Sequence, residues 1–272
     1  MIITLNDSVR YTLKLTEDGN EQLVIHDCDQ MMLTIETDKH IHTQLWITYD
    51  GKQLDLKTKL HLGADSDLAI LFWNHVSERL DFALDVSGES NACAKIGIGD
   101  LSEGKSTYRV AGALTQGGQS IEWTTVCIAA QKHWQMEICH QHAHTDGFMK
   151  NFAVVMENGD YMMEASGRII KGAYASQSHQ ASRVLTMTSK QRSEVLPVLF
   201  IDENDVKASH ATTLGQPDEN QLYYLQSRGL SRCAALGLLT LGYLLPIIEV
   251  ISEPTWQAQL QKEIEEKVII HD

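Results

Sequence analysis

The stretch that decides the fold is DENDVKASHATTLGQPDENQLYYLQSRGLS, residues 202–231. An acidic turn opens it, and a short β-type segment carrying His210 follows, before a Gly-Gln-Pro break at residues 215–217. An amphipathic helix then runs to Gly229, which stands where a helix C′ glycine belongs, and Ser231 can cap the next helix. A β region therefore ends here and a helical region begins.

Before this junction the chain consists of short β segments separated by turns. Apolar and polar residues alternate from the N-terminal segment onward, and glycine-containing turns recur up to residue 200. The pair Asp50-Gly51 predicts a hairpin or a tight turn. Evenly spaced short strands fit a sandwich, a barrel or a β-solenoid, and periodicity leaves all three open. Small residues at positions 167–176 favour the solenoid, since stacked coils need small side chains at their corners.

After the junction the chain is helical. A second helix is predicted from Ser231 to about Leu244, apolar nearly all round, and Pro254 suits the first position of a third. We therefore divide the chain into a β-rich core, residues 1–216, and a helical domain, residues 217–272. Residues 233–251 are long enough to span a bilayer, but Pro246 and two glycines favour a buried helix pair or a docking surface.

Composition excludes some classes of partner. The chain has 272 residues, with 36 acidic against 22 basic side chains and a net charge of −14. Nucleic acid and anionic membranes are poor partners, because no basic stripe exists to displace counterions. The five cysteines are scattered without a CxxC pair, and no signal peptide is recognised, so we expect a reduced cytoplasmic protein.

The junction also carries a family resemblance. The segment from Val206 to Gly215, followed by Asp218-Glu219 and by residues 222–230, resembles the signature of the SufB/SufD family, scaffold components of the SUF iron–sulfur cluster assembly machinery. The match extends back through Ser176-Gln177 and residues 197–201, and more loosely to about Glu137. Residues 1–136 hold no motif that anchors it.

The resemblance implies a fold and partners. It implies a right-handed parallel β-helix followed by a small C-terminal α-helical domain. The last coils would pair with a SufB-like subunit or with a second copy of the chain. Residues 230–251 would dock a SufC-like ABC ATPase. The resemblance favours a SufD-like, non-enzymatic subunit, and an iron–sulfur cluster or iron would be bound only transiently and shared with the partner.

His210 is the first candidate site residue. In the D-type branch, the segment written Val206-Lys207-Ala208-Ser209-His210 here usually has cysteine at the position of Ala208. The resemblance implies that this cysteine and histidine help to build the nascent cluster, and an imidazole can bind iron. This chain keeps the histidine and lacks the cysteine, so the site would need a ligand from a partner. The alternative is that His210 only hydrogen-bonds across the last coil.

The second candidate is the run from Cys139 to His144. On an extended strand, alternate residues share a face, so His140, His142 and His144 would point together and Cys139 away from them. Three imidazoles in this arrangement could bind zinc, iron or copper. An exposed histidine-rich turn without metal is the alternative. Cys233 lies on the apolar helix and is expected in the core.

The sequence has no GxSxG and no HExxH, and no four-cysteine set with ferredoxin-like spacing. Residues 99–106, GDLSEGKS, match GxxxxGK[ST], but a β segment and not a helix follows them, so they do not predict a P-loop. Two other functions remain open. One is a stand-alone β-helix that binds metal through His140, His142 and His144. The other is a β-helix enzyme acting on polysaccharide, for which Asp202 and Asp205 would be the nearest carboxylate pair.

Overall fold

The computed structural model describes residues 2–6 and 9–268. The strands are β1 (Ile2–Asn6), β2 (Arg10–Leu15), β3 (Gly19–His26), β4 (Gln30–Thr37), β5 (His42–Leu62), β6 (Asp67–Gly88), β7 (Cys93–Asp100), β8 (Lys105–Leu114), β9 (Ser120–His140), β10 (Asp146–Ile169), β11 (Ser176–Thr186), β12 (Arg192–Ile201) and β13 (Val206–Gly215). The helices are α1 (Glu219–Ser227), α2 (Arg232–Leu244) and α3 (Pro254–Val268), and a 3-10 helix (Leu245–Val250) continues α2.

The strands stack as the coils of a parallel β-solenoid of about eight turns, as predicted. Within the described residues every strand pairs with its neighbours in parallel. Leu23 lies beside Ile47, Ile47 beside Phe72, and Phe72 beside Ile98. Each inward-facing side chain therefore stacks on an inward-facing side chain of the next coil.

Each coil contributes to two faces. The first face is built from β1, β3, β7, β11, β13 and the first halves of β5, β6, β9 and β10. The second face is built from β2, β4, β8, β12 and the second halves of the same four long strands. The prediction of a hairpin or tight turn at Asp50-Gly51 is wrong. Gly51, at φ 126°, bends the continuous strand β5 from one face to the other.

The solenoid interior holds the main hydrophobic core. It is filled by side chains from both faces, and an aromatic column runs through it. Phe82 lies between Tyr49 and Tyr108, and Tyr108 stacks on Trp134 with ring centroids 3.7 Å apart. A buried ion pair, Lys132 Nζ to Asp100 Oδ2 at 2.9 Å, borders this column and fixes loop 101–104, because Lys132 also donates to the Gly104 carbonyl.

One corner of the solenoid is a ladder of left-handed residues. Six consecutive coils each place one residue with φ between 54° and 76° at this corner: His40, Asp65, Asn91, Gly118, His144 and Ala175. Each backbone N–H donates to a carbonyl of the next coil. Asn91 Nδ2 also donates to Asp65 Oδ1 at 2.8 Å. The left-handed region is costly for most residues, and Asp65, Asn91 and Gly118 are of the types that adopt it most readily. At His40, His144 and Ala175 the hydrogen bond to the next coil must offset the cost.

Gly118 should be the position at this corner that tolerates substitution least. A Cβ there would lie 2.0 Å from Asn91 Oδ1, so Asn91 would have to move away from Asp65. We expect Gly118→Ala to lower the free energy of unfolding by about 1–3 kcal/mol, measured by urea denaturation. Gly172→Ala is the control, since Gly172 also has a positive φ but nothing lies within 4 Å of its added Cβ. Equal losses for the two variants would contradict the steric account.

The helical tail packs back along the outer side of the first face. A second apolar cluster joins Trp46, Leu71 and Val126 of that face to residues of the 3-10 helix and α3. Leu260, Ile264 and Val268 form the buried side of α3, and Trp256 packs against the cluster edge-on to Trp46. The division at residues 216 and 217 stays a prediction, since the two parts share this cluster.

The cap at Ser231 is the one predicted, since its side chain accepts from Ala234 N at the start of α2. Asp218 caps α1 by accepting from Asn220 N. Gly229 follows the end of α1 at φ 95°, and α3 begins at Pro254. The segment Arg232–Val250 is long and apolar enough to cross a bilayer by length and composition alone. In the structure Leu244, Ile247 and Val250 lie buried against the first face.

Candidate functional site at the end of the solenoid

The two ends of the solenoid differ in how far their inward-facing leucine and isoleucine side chains are exposed. At the N-terminal end, inward-facing Leu5 and Leu13 are only 8% and 6% exposed, although Ile2 and Val9 are exposed there. At the C-terminal end, inward-facing Ile201 of β12 and Leu214 of β13 are 43% and 44% exposed. Each of these last two strands pairs on one side only among the described residues. A free strand edge with exposed apolar side chains is a surface suited to pairing with another chain.

The interior becomes polar towards this open end. The row that begins Leu23, Ile47, Phe72 and Ile98 continues as Thr125, Asn151, Ser182 and Thr212. Thr125 Oγ1 donates to Asn151 Oδ1 at 2.9 Å, and Asn151 Nδ2 donates to Ser182 Oγ at 3.3 Å. Along this row the last coils are therefore joined by side-chain hydrogen bonds, where the earlier coils are joined by apolar packing.

His210 lies at this open end. Its inward-facing row runs Ile96, Trp123, Met149, Gln180 and His210, so the imidazole occupies the last position of the row and is exposed. Ala208 faces the same way, beside Ser178. The structure thus places positions 208 and 210 on one side of β13, towards any molecule that covers the end.

His179 is a second histidine near the end that the sequence analysis missed. It lies on the outer side of β11, where its ring stacks on Phe148 at 5.6 Å and its Nδ1 lies 2.8 Å from Ser209 Oγ. His179 and His210 therefore face opposite sides of the sheet. The alternation of Ser176, Ser178, Gln180 and Ser182 was the available sequence signal, since it marks the inward face and leaves residue 179 outward.

The histidine run at residues 140–144 does not form one face, so that geometric expectation is wrong. Strand β9 ends at His140, and residues 141–145 form a corner. His140 is buried, with Nδ1 2.9 Å from Thr145 Oγ1, while exposed His144 sits at φ 58° with its ring edge-on to Tyr174. His142 Nδ1 lies 3.0 Å from the Ala143 carbonyl. In the described part of the chain no three His, Cys, Asp or Glu side chains group as metal ligands.

Burial determines the protonation of His140. Desolvation lowers its pKa to about 4, opposed only by the contact with Thr145. Nε2 is enclosed without a hydrogen-bond partner, and a Cβ on Gly147 would lie 2.8 Å from it. His140 is therefore a neutral interior side chain, and Gly147 leaves the room that its ring needs.

We expect the His140 ring to titrate near pH 4, measured by NMR on the histidine ring protons. The unfolded chain binds this proton near pH 6.5 and the folded chain does not, so stability falls as the pH is lowered from about 6.5 towards 4. The loss should reach about 3 kcal/mol and should vanish in His140→Leu, while His142→Leu keeps it. A midpoint between pH 6 and 7 for His140 would contradict the assignment.

The five cysteines are free. Cys139 faces outward beside Arg168 of the neighbouring strand. Cys127 is buried in the interior, where desolvation and the Asp100 carboxylate raise its thiol pKa. Cys233 is half-buried on α2, less enclosed than the core position predicted for it. None of the five lies on the last two strands.

The tail exposes a second apolar surface. Tyr223 of α1 is 75% exposed, and Tyr224, Leu230 and Leu238 are exposed as well. Helix α1 contacts α2, to which the Glu219–Arg232 ion pair ties it at 2.7 Å. We call Tyr223, Tyr224, Leu230 and Leu238 the tail surface. It covers only part of the docking region predicted at residues 230–251, because residues 244, 247, 250 and 251 are buried against the solenoid.

These features define a class of protein: a parallel β-solenoid with an open, histidine-bearing C-terminal end and a helical tail along one face. The family model described as "SUF system FeS cluster assembly, SufBD core domain" matches residues 31–243. The chain therefore belongs to the SufBD family, and the resemblance drawn from the junction is confirmed.

Curated relatives agree with this assignment. The chain is 34% identical over 137 residues to the iron–sulfur cluster assembly protein SufD of Bacillus subtilis, covering 50% of this chain and 31% of that protein. It is 36% identical over 80 residues to a SufBD family protein of Mycobacterium bovis, covering 29% and 10%. A SufBD family protein of Pyrococcus horikoshii is 27% identical over 128 residues, covering 46% and 28%. The chain spans less than a third of the length of these relatives.

Proposed function

We propose that the chain is a SufD-like, non-enzymatic scaffold subunit of iron–sulfur cluster assembly in the cytoplasm. Its open end pairs with a SufB-like subunit, and its tail surface docks a SufC-like ABC ATPase. The observation that carries this proposal is the open end, where apolar side chains and His210 are exposed together. Family membership supports the role in cluster assembly, and the two partners are inferred from the surfaces.

The chemistry of the open end favours another β end as its partner. Among the described residues both last strands have an unpaired edge, and an incoming strand would satisfy those backbone groups while covering Ile201 and Leu214. Leu196 and Phe200 extend the apolar surface on the outer side of β12, where Arg168 lies 4.4 Å above the Phe200 ring. A partner that continued the solenoid would bury this surface and enclose His210.

His210 then offers one ligand to iron, the substrate of the assembly reaction. A neutral imidazole binds iron through a ring nitrogen, and sulfide or thiolate completes such a site. Position 208 is alanine, and none of the chain's cysteines lies on β12 or β13. The thiolate must therefore come from the subunit that covers the end.

The tail surface suits a different partner. Its aromatic side chains project from α1, and Arg228 lies 5.3 Å from the Tyr224 ring centroid. Exposed tyrosines beside an arginine are typical of interface hot spots. Helices α2 and α3 pack on the first face through the shared apolar cluster. A partner that moved the tail would therefore also move the solenoid to which the tail is packed.

Two pairs of substitutions test the two surfaces against each other. We expect Ile201→Asp with Leu214→Asp to weaken association with a co-expressed SufB-like subunit roughly tenfold or more, because a charge would be buried at the centre of the interface. The ATPase should still co-purify. Tyr223→Asp with Tyr224→Asp should weaken association with the ATPase and leave the SufB-like subunit bound. Quantitative pull-down with tagged chain measures both.

Retention of the SufB-like subunit by the end variant would contradict pairing through the open end. If the chain forms a homodimer and the same end variant is a monomer, the open end is still the pairing surface, but the partner is a second copy of the chain.

His210 is tested by iron and sulfide analysis of the anaerobically reconstituted complex. We expect His210→Ala to lose more than half of the bound iron without losing the partner, since it removes a ligand and leaves the apolar contacts. Ser209→Ala is the control, because Ser209 faces the other side of β13. Full iron content in His210→Ala would assign the histidine to hydrogen bonding alone.

A further inference from the structure

Gln180 of β11 is the neighbour of His210 on the inward-facing row of the last coils. The two residues pair in the parallel register of β11 and β13, and Met149 precedes them on the same row. Side chains at paired positions of neighbouring parallel strands point the same way, from backbones about 4.8 Å apart. Gln180 is 3% exposed, so a buried amide lies next to the exposed imidazole of His210.

The orientation of the Gln180 amide is fixed by one hydrogen bond. Its Nε2 donates to the Val198 carbonyl of β12 at 3.0 Å, which ties the first face to the second near the open end. Only the NH2 end of an amide can donate to a carbonyl, so this bond decides which way the group points. Gly167 leaves room for it, because a Cβ there would lie 3.1 Å from Nε2 of Gln180 and 2.5 Å from Ser178 Oγ. The amide is therefore held with Oε1 as its free end.

The Oε1 atom of Gln180 is enclosed and has no hydrogen-bond partner within the described residues. An acceptor that has lost water without gaining a donor is costly, and enclosed polar atoms in folded proteins rarely stay unpaired. His210 is the next polar side chain on the row, and a neutral imidazole always carries one ring N–H. The missing donor is therefore available at the adjacent position.

We propose that Gln180 is a positioning residue for His210. When the open end is covered, Gln180 Oε1 accepts a hydrogen bond from one ring nitrogen of His210 and leaves the other nitrogen to bind iron. This inference rests on the proposed role of His210 as an iron ligand. Histidines that bind metals almost always donate their second ring N–H to an oxygen or a water, which fixes the tautomer and the ring direction and strengthens the bond to the metal.

Two substitutions at position 180 separate this role from the tie to β12. Gln180→Met and Gln180→Glu both remove the amide nitrogen, but only glutamate keeps an oxygen acceptor. In anaerobic titration of the complex with ferrous iron, we expect Gln180→Met to bind iron about tenfold more weakly and Gln180→Glu to lose no more than about threefold. Gln177→Met is the matched control, since Gln177 lies on the same strand and faces outward. Equal losses in the two variants at position 180 would overturn the positioning role and leave only the tie to Val198.

The hydrogen bond itself is measured without iron. In the iron-free complex with the SufB-like subunit, NMR of the chain with isotope-labelled histidine should show a ring N–H of His210 that is protected from exchange with water. Its absence in His210→Ala identifies the signal. The signal should disappear in Gln180→Met and persist in Gln180→Glu. A ring N–H that exchanges freely in the unsubstituted complex would overturn the proposal without any variant, and a proton that stays protected in Gln180→Met would overturn it as well.

The proposed iron site and the role of Gln180 fail in different ways. Full iron content in His210→Ala would overturn the iron site and, with it, the role of Gln180 towards iron. Loss of iron in His210→Ala, together with unchanged iron affinity and unchanged N–H protection in Gln180→Met, would keep His210 as the ligand and overturn Gln180 alone.

Discussion

The structure depends on one constraint, the in-register parallel stacking of successive coils. Because each residue sits directly on its counterpart in the next coil, inward positions stay inward along the whole solenoid. The same stacking repeats the left-handed corner residue six times and builds the aromatic column from Tyr49 to Trp134. It also means that the last coil ends with its inward face uncovered, and this uncovered face is where His210 lies.

The two ends and the two sides of the solenoid therefore have different roles. The N-terminal end buries its own leucines, whereas the C-terminal end exposes isoleucine and leucine beside polar interior rows. On the outer side of the first face, tryptophans and aliphatic residues are covered by the tail helices. The first face is thus apolar on both of its sides, as expected for a parallel sheet packed between two layers. The tail is part of the body and still presents its own exposed surface.

Local chemistry made much of this predictable. The junction at residues 202–231, the helix ends at Gly229 and Ser231, and the start of α3 at Pro254 follow from residue preferences within a few positions. The choice of a solenoid needed the family resemblance, because alternation of period two is shared by sandwiches, barrels and solenoids. Asp50-Gly51 misled for a related reason. A glycine with positive φ occurs both in hairpin turns and in bends within one strand. Only the pairing of β5 with distant strands shows that Gly51 lies in a bend.

The site was harder to predict because it depends on where strands end. The prediction that His140, His142 and His144 share one face was wrong because β9 ends at His140. Beyond the end of a strand the side chains no longer alternate, so the exact strand length decides where each imidazole points. The residue pattern could not predict the exposed end either, because Ile201 and Leu214 have the same pattern as buried residues and differ only in lacking a next coil. Only the family resemblance implied that the last coils pair with a partner.

Hydrogen exchange of β12 and β13, residues 192–201 and 206–215, tests the account most directly, in the chain alone and in complex with a SufB-like subunit. The account predicts fast exchange along both free edges in the chain alone and strong protection in the complex. Unchanged exchange of these strands, with protection appearing only elsewhere, would contradict it.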